Sequence, residues 1–159
     1  MRDIRIAAVT LNSAVNRTYE NLDRMASWIK QAKDQAVQLI CFPELNVTGY
    51  STKPEIQGCA ESIPGPVSER LVQMAQENQI VILAGIAEKD EKGRIFASHL
   101  VVTPQNISGI YRKIHIAPPE RAIFSPGNSV PIFEVGGVKL GIQLCYDAHF
   151  PELSTRMAV

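Results

Sequence analysis

Apolar residues along this chain recur with two periods, and the changes between them divide it into alternating strands and helices. Residues 4–10 (IRIAAVT) are short, apolar and β-branched, which suits a buried strand, and Asn12, Ser13 and Asn16 break the pattern. From Thr18, apolar positions at Leu22, Met25, Ala26, Ile29, Ala32 and Ala36 recur at intervals of three and four. Glu20, Asp23, Lys30, Lys33 and Asp34 occupy the other face, so the segment predicts an amphipathic helix lying on a sheet. Residues 37–42 (VQLICF) form the next strand, which Pro43 stops, and a strand-helix-strand connection of this length favours parallel pairing.

Gly65, Pro66 and Ser68 open a second helix that runs to about Asn78, with Val67, Leu71, Val72 and Met74 on its buried side. A strongly apolar strand follows at residues 80–87, then a polar turn at 88–94 (EKDEKGR). Alternation in 96–103 and 107–113 around Pro104-Gln105-Asn106 predicts an antiparallel meander. Residues 130–135 and 138–144, joined through Gly136-Gly137, predict a further hairpin, and Pro151-Glu152-Leu153 starts a last helix.

Composition narrows the picture. A chain of 159 residues with 45% apolar content has the size and core of one domain. Sixteen basic residues balance sixteen acidic ones, leaving no basic surplus to counter phosphates, so nucleic acid is not an expected partner. The longest strictly apolar run, residues 80–87, is far below the roughly 20 residues a membrane helix needs, and the start reads as a strand rather than a signal peptide. The expectation is a soluble, cytoplasmic protein without a membrane partner. Cys41, Cys59 and Cys145 fit neither a disulfide framework nor a zinc ribbon, and His99, His115 and His149 lack metal-ligand spacing, so no metal or other cofactor is expected. Cys41 ends an apolar strand and reads as core; Cys59 lies in a polar loop and reads as a bystander.

Three chemically loaded residues fall at strand ends, where ligand sites of α/β folds gather. Cys145 sits in Gly141-Ile-Gln-Leu-Cys-Tyr-Asp-Ala-His-Phe-Pro-Glu152, a strand entering a helix that Pro151 can begin. Such an elbow presents a thiol and brings backbone N–H groups and a helix N-terminus near it. Glu44, in Cys41-Phe-Pro-Glu-Leu-Asn-Val-Thr-Gly-Tyr50, follows an apolar strand directly, and a carboxylate partly withdrawn from water has a raised pKa suited to accepting a proton. Lys113, in Gly109-Ile-Tyr-Arg-Lys-Ile-His-Ile-Ala-Pro-Pro-Glu120, offers a fixed positive charge to an anionic intermediate. Taken singly, each has a plainer reading, as a core cysteine or a strand-end surface charge.

Together and in this order, Phe-Pro-Glu, Tyr-Arg-Lys-x-His and Cys-Tyr-Asp resemble the nitrilase, or carbon-nitrogen hydrolase, superfamily, and the resemblance runs from Ile4 to the last residue. It implies Cys145 as nucleophile, Glu44 as general base and Lys113 as oxyanion stabiliser, acting on a non-peptide carbon-nitrogen bond through a thioester. Glu120 matches a second glutamate that orients the lysine or the substrate nitrogen, and the backbone N–H of Tyr146 joins the oxyanion contacts. The implied fold is an α/β, nitrilase-type α-β-β-α sandwich, of which residues 1–159 form the N-terminal part, with homodimers made through helical layers.

Two features depart from that pattern. The family usually carries arginine two residues after the aspartate, where this chain has His149, a smaller ring that titrates near neutrality. His149 also stands four residues after Cys145, which offers a Cys-His pair as a minor alternative to packing on the last helix. The chain ends fourteen residues after Cys145, short of the strands and helices that complete a family domain, so the domain is expected to be incomplete at its C-terminus. The functional readings are an amidohydrolase of small amides or N-carbamoyl amines, an inactive homologue acting as an interaction module, and a related acyltransferase, which the lack of an expected membrane segment disfavours. Asp147 is expected to cap the helix that follows.

Overall fold

The first helical period folds as α1 (Thr18–Asp34), and its stripe of Leu22, Met25, Ile29 and Ala32 is buried. α1 ends two residues before the expected Ala36, which adopts φ 56°, a left-handed conformation incompatible with continuing the helix. α2 (Pro66–Asn78) begins with proline at its first position, where the missing N–H has no helical partner to lose. Ser68 Oγ accepts the Gly65 N–H at 3.0 Å and steadies that end. The computed structural model describes residues 3–158.

Five strands form one sheet in chain order: β1 (Ile6–Ala8), β2 (Leu39–Cys41), β3 (Val81–Lys89), β4 (Ile95–Val102) and β5 (Ile107–Arg112). β1, β2 and β3 pair in parallel through the two helical connections, and β3, β4 and β5 form the antiparallel meander. Period-two alternation then sorts the side chains. Ile40, Ile82, Ala84, Ile86, Leu100 and Val102 pack under α1 and α2. Leu39, Leu83, Val101 and Tyr111 face the other way, against Phe133 and Val135 of the hairpin β6 (Phe133–Val135) and β7 (Val138–Leu140). The layers are therefore helices, sheet and hairpin, a mixed α/β arrangement as the sequence predicts.

The structure corrects several boundaries. β1 has three residues rather than seven, and the hairpin ladder stops at Leu140, so residues 141–144 continue outside it. β3 runs two residues into the segment read as a polar turn. Its Glu88 is 3% exposed, accepting a hydrogen bond from the Ser98 hydroxyl at 2.6 Å and two from the Arg112 guanidinium, whose other face covers the Phe96 ring. The turn proper is carried by Asp90, whose Oδ1 accepts the Lys92 and Arg94 N–H groups at 3.0 and 2.8 Å. Cys59 is not in a polar loop. It is buried with Leu45 and Ile56 in a small cluster beneath the loops, and its thiol donates to the Ile56 carbonyl at 3.3 Å.

Candidate active site

Glu44 is positioned by the way its loop leaves β2. Pro43 ends the ladder, Leu45 turns the chain at φ 53°, and the loop settles across Gly85 of β3. The Gly85 N–H donates to Asn46 Oδ1 at 2.8 Å and its carbonyl accepts the Val47 N–H at 2.9 Å. Gly85 is glycine because a Cβ there would stand 2.8 Å from the Pro43 carbonyl oxygen and 2.9 Å from the Glu44 carbonyl carbon.

Lys113 lies one residue beyond β5 and is fixed from both sides: its N–H donates to the Ala97 carbonyl at 2.9 Å, and its carbonyl accepts the Gly127 N–H at 2.8 Å. Its side chain is wholly buried. Nζ donates to Glu44 Oε1 at 2.8 Å and to Glu120 Oε1 and Oε2 at 3.0 and 2.9 Å, which engages all three ammonium protons. Glu120 ends the short turn Pro118–Glu120, is 1% exposed, and also accepts the Ala117 N–H and, at 2.8 Å, the Tyr50 hydroxyl. Tyr50 lies at the end of the glutamate motif without an expected role, and the aromatic hydroxyl closing its Thr-Gly-Tyr turn is the only local signal of this contact.

One buried cation between two carboxylates sets the local electrostatics. Burial alone lowers the pKa of Lys113, yet its hydrogen bonds and attraction to Glu120 and Glu44 outweigh that and raise it, keeping the ammonium charged. In Glu44 burial wins instead: it raises the pKa by more than Lys113 lowers it, with Glu120 and Asp147 adding repulsion.

Cys145 is exposed and adopts φ 45°, a left-handed conformation that costs a non-glycine residue about 1–2 kcal/mol. A short 3-10 turn, Cys145–His149, leads from it toward α3 (Pro151–Met157), which begins at Pro151 as the sequence suggested. Burial and the neighbouring Glu120 carboxylate, which accepts its hydrogen bond, push the Tyr50 phenol above the ordinary tyrosine value. Asp147, two residues after Cys145, accepts the Tyr111 hydroxyl and the His115 N–H, which ties the cysteine turn to the segment that carries Lys113.

Asp147, expected as a helix cap, does cap the 3-10 turn by accepting the Leu144 N–H at 3.1 Å, but it is fully buried and also accepts from Tyr111 and His115. The Tyr146 ring is half-buried, tilted against His149 at 5.2 Å and edge-on to Phe150 at 5.4 Å. His149 is exposed on that ring, and no hydrogen bond joins it to Cys145 among the described residues.

A sequence profile described as Carbon-nitrogen hydrolase matches residues 5–159. The chain belongs to the carbon-nitrogen hydrolase family. As a family member it is 34% identical to a nitrilase of Pyrococcus abyssi, over 98% of this chain and 61% of that protein. It is 32% identical to an (R)-stereoselective amidase of a Pseudomonas species, over 98% of this chain and 56% of the amidase. Its fold superposes on the crystal structure of Saccharomyces cerevisiae Nit3, a member of branch 10 of the nitrilase superfamily, with a TM-score of 0.88 at 26% identity, covering 98% of this chain and 60% of Nit3. This carbon-nitrogen hydrolase chain thus spans about three fifths of the length of the curated relatives it matches. None of its described helices is long and apolar enough to cross a membrane.

Proposed function

We propose that the chain carries the catalytic groups of a thiol-dependent amidohydrolase acting on a small amide or N-carbamoyl amine. The observation that carries this reading is the fully buried Lys113 ammonium, held by Glu44 and Glu120 in one network with Tyr50, while Asp147 ties the Cys145 turn to the residues on both sides of Lys113. Glu44 takes the Cys145 thiol proton as sulfur bonds to the substrate carbonyl carbon. Lys113 and the Tyr146 N–H receive the oxyanion, and Glu120 orients Lys113. Glu44 then hands its proton to the departing ammonia or amine as the carbon-nitrogen bond breaks, leaving a thioester. It next removes a proton from water, whose oxygen attacks the thioester carbon; the carboxylic acid leaves and sulfur recovers its proton. Burial that raises the Glu44 pKa brings this carboxylate nearer the range in which one group both accepts and returns a proton. Relatives named as an amidase and a nitrilase support carbon-nitrogen bond hydrolysis as the reaction class.

The test is ammonia release from a panel of small aliphatic amides, ω-amides and N-carbamoyl amines, with Cys145→Ala as control. Turnover by the natural chain that disappears in the variant is the expected result. Undiminished turnover in Cys145→Ala would refute the nucleophile assignment.

A further inference from the structure

Asp147 stands two residues after Cys145, and its side chain is completely buried. Four groups converge on its carboxylate. Oδ2 accepts the Tyr111 hydroxyl at 2.7 Å and the Leu144 N–H at 3.1 Å; Oδ1 accepts the His115 N–H at 2.8 Å and lies 3.1 Å from His115 Nδ1. Capping of the 3-10 turn accounts only for the Leu144 contact. The other three come from the segment that carries the lysine, since Tyr111 and His115 lie two residues before and two residues after Lys113. One carboxylate therefore ties the chain on both sides of Lys113 to the residue that leads into Cys145. A second tie links the same segments: the His115 ring stacks on Phe150, centroids 3.6 Å apart and 5° from coplanar.

We infer that Asp147 is a positioning residue that holds the strained Cys145 turn in register with Lys113. The inference rests on the proposed thiol chemistry, in which sulfur and ammonium act on opposite ends of one carbonyl group. The chemistry of the carboxylate explains why aspartate occupies the position. Two oxygens with about four lone-pair directions match four converging groups. Asparagine has nearly the same shape but one oxygen; whichever way its amide is turned, the NH2 group faces donors that aspartate satisfied. A buried donor left facing another donor moves away, and here the moving parts are the Cys145 turn or the lysine strand. Because Cys145 holds a left-handed conformation without being glycine, loss of the tie lets the turn relax toward ordinary backbone angles and carries the thiol off its line of attack.

The experiment compares the full chain with Asp147→Asn and Tyr111→Phe. Each is checked by circular dichroism and melting, then assayed for kcat and KM on an amide identified in the panel above. Separately, the rate of Cys145 alkylation by iodoacetamide is followed by peptide mass spectrometry, a readout that needs no turnover. The expected result for folded Asp147→Asn is a kcat roughly 100-fold lower with KM nearly unchanged, as a displacement of about 1 Å produces. Cys145 alkylation slows in parallel, and Tyr111→Phe, which removes one of the four contacts, shows a smaller loss in the same direction. Wild-type alkylation and kcat in folded Asp147→Asn, or a loss confined to KM, overturns the inference; if that variant does not fold, the same outcomes in Tyr111→Phe decide. A natural chain inactive on every amide removes the hydrolase reading, while the alkylation comparison still judges Asp147.

Discussion

Lys113 and Glu120 form a bidentate ion pair, with Nζ 3.0 and 2.9 Å from the two carboxylate oxygens and neither side chain more than 1% exposed. Glu44 supplies a second carboxylate to the same ammonium from a loop 69 residues earlier. Such a pair gains little net stability over an apolar replacement of both partners, yet losing one partner strands the other charge in a place without water.

Lys113→Met removes the single cation between Glu44 and Glu120. The expected cost is about 3–5 kcal/mol in urea unfolding. Adding Glu120→Gln to that variant recovers part of the loss, because one of the two facing charges is gone. Equal stability of the single and double variants would show that the carboxylates do not sense one another.

Glu44 has a folded-state pKa above its ordinary 4.5, and burial is the main cause. Its proton is therefore held more tightly in the folded chain than in the unfolded one. The stability this provides is complete below pH 4.5 and is lost as pH rises through the higher folded value. Glu44→Gln is expected to flatten this part of the stability-pH profile. If the unfolding midpoints of both proteins change in parallel across that interval, the raised pKa is not real. Activity has the opposite slope, since the proposed base works only when ionised.

His99 points to a second pH effect. Its ring is buried on β4, its Nδ1 has no hydrogen-bond partner among the described residues, and burial lowers its pKa from 6.5 to about 4. A folded pKa below the unfolded one gives stability that is full above pH 6.5 and is lost as pH falls toward 4. Across the whole interval the loss is about 3 kcal/mol, at roughly 1.4 kcal/mol per pKa unit. His99→Phe is expected to lose less stability than the natural chain between neutral and acid pH in denaturant titrations. An identical loss in both would remove His99 from the acid response.

Gly85 is expected to tolerate no side chain. Gly85→Ala drives a methyl group into backbone atoms of Pro43, Glu44 and Leu45, and backbone cannot swing away as a flexible side chain does. Overpacking costs about 1–3 kcal/mol, and the displaced loop carries Glu44 with it. Amide turnover should therefore fall by more than thermal unfolding alone explains. A variant that melts lower but keeps full kcat would separate the loop position from the chemistry.

The elements legible in the sequence were those whose apolar period was long and unbroken. α1, α2 and the β3-β4-β5 meander are read directly, because packing one face of each requires a regular spacing. Glu88 misled because a charge beside Asp90 reads as turn, and its partners Ser98 and Arg112, which make its burial tolerable, are distant in sequence. In the site, Glu44, Lys113 and Glu120 were recognised from their motifs, and the structure brings all three together. What local sequence does not encode is convergence. Tyr50 reaches Glu120 across 70 positions, and Asp147 gathers Tyr111 and His115 across more than thirty, so both contacts emerge only when the strands are assembled.

The parallel pairing of β1 and β2 and the antiparallel excursion of β4 and β5 also govern when the Glu44–Lys113 pair can form. Lys113 meets Glu44 only after the connections through both helices and the meander have closed, and such long-range pairings form late in folding. Until then Glu44 and Lys113, the base and cation that the proposed chemistry assigns to the Cys145 thiol, lie apart. On that proposed chemistry a nascent or half-folded chain holds no activated nucleophile in its own midst, and competence arrives with the last strand pairings.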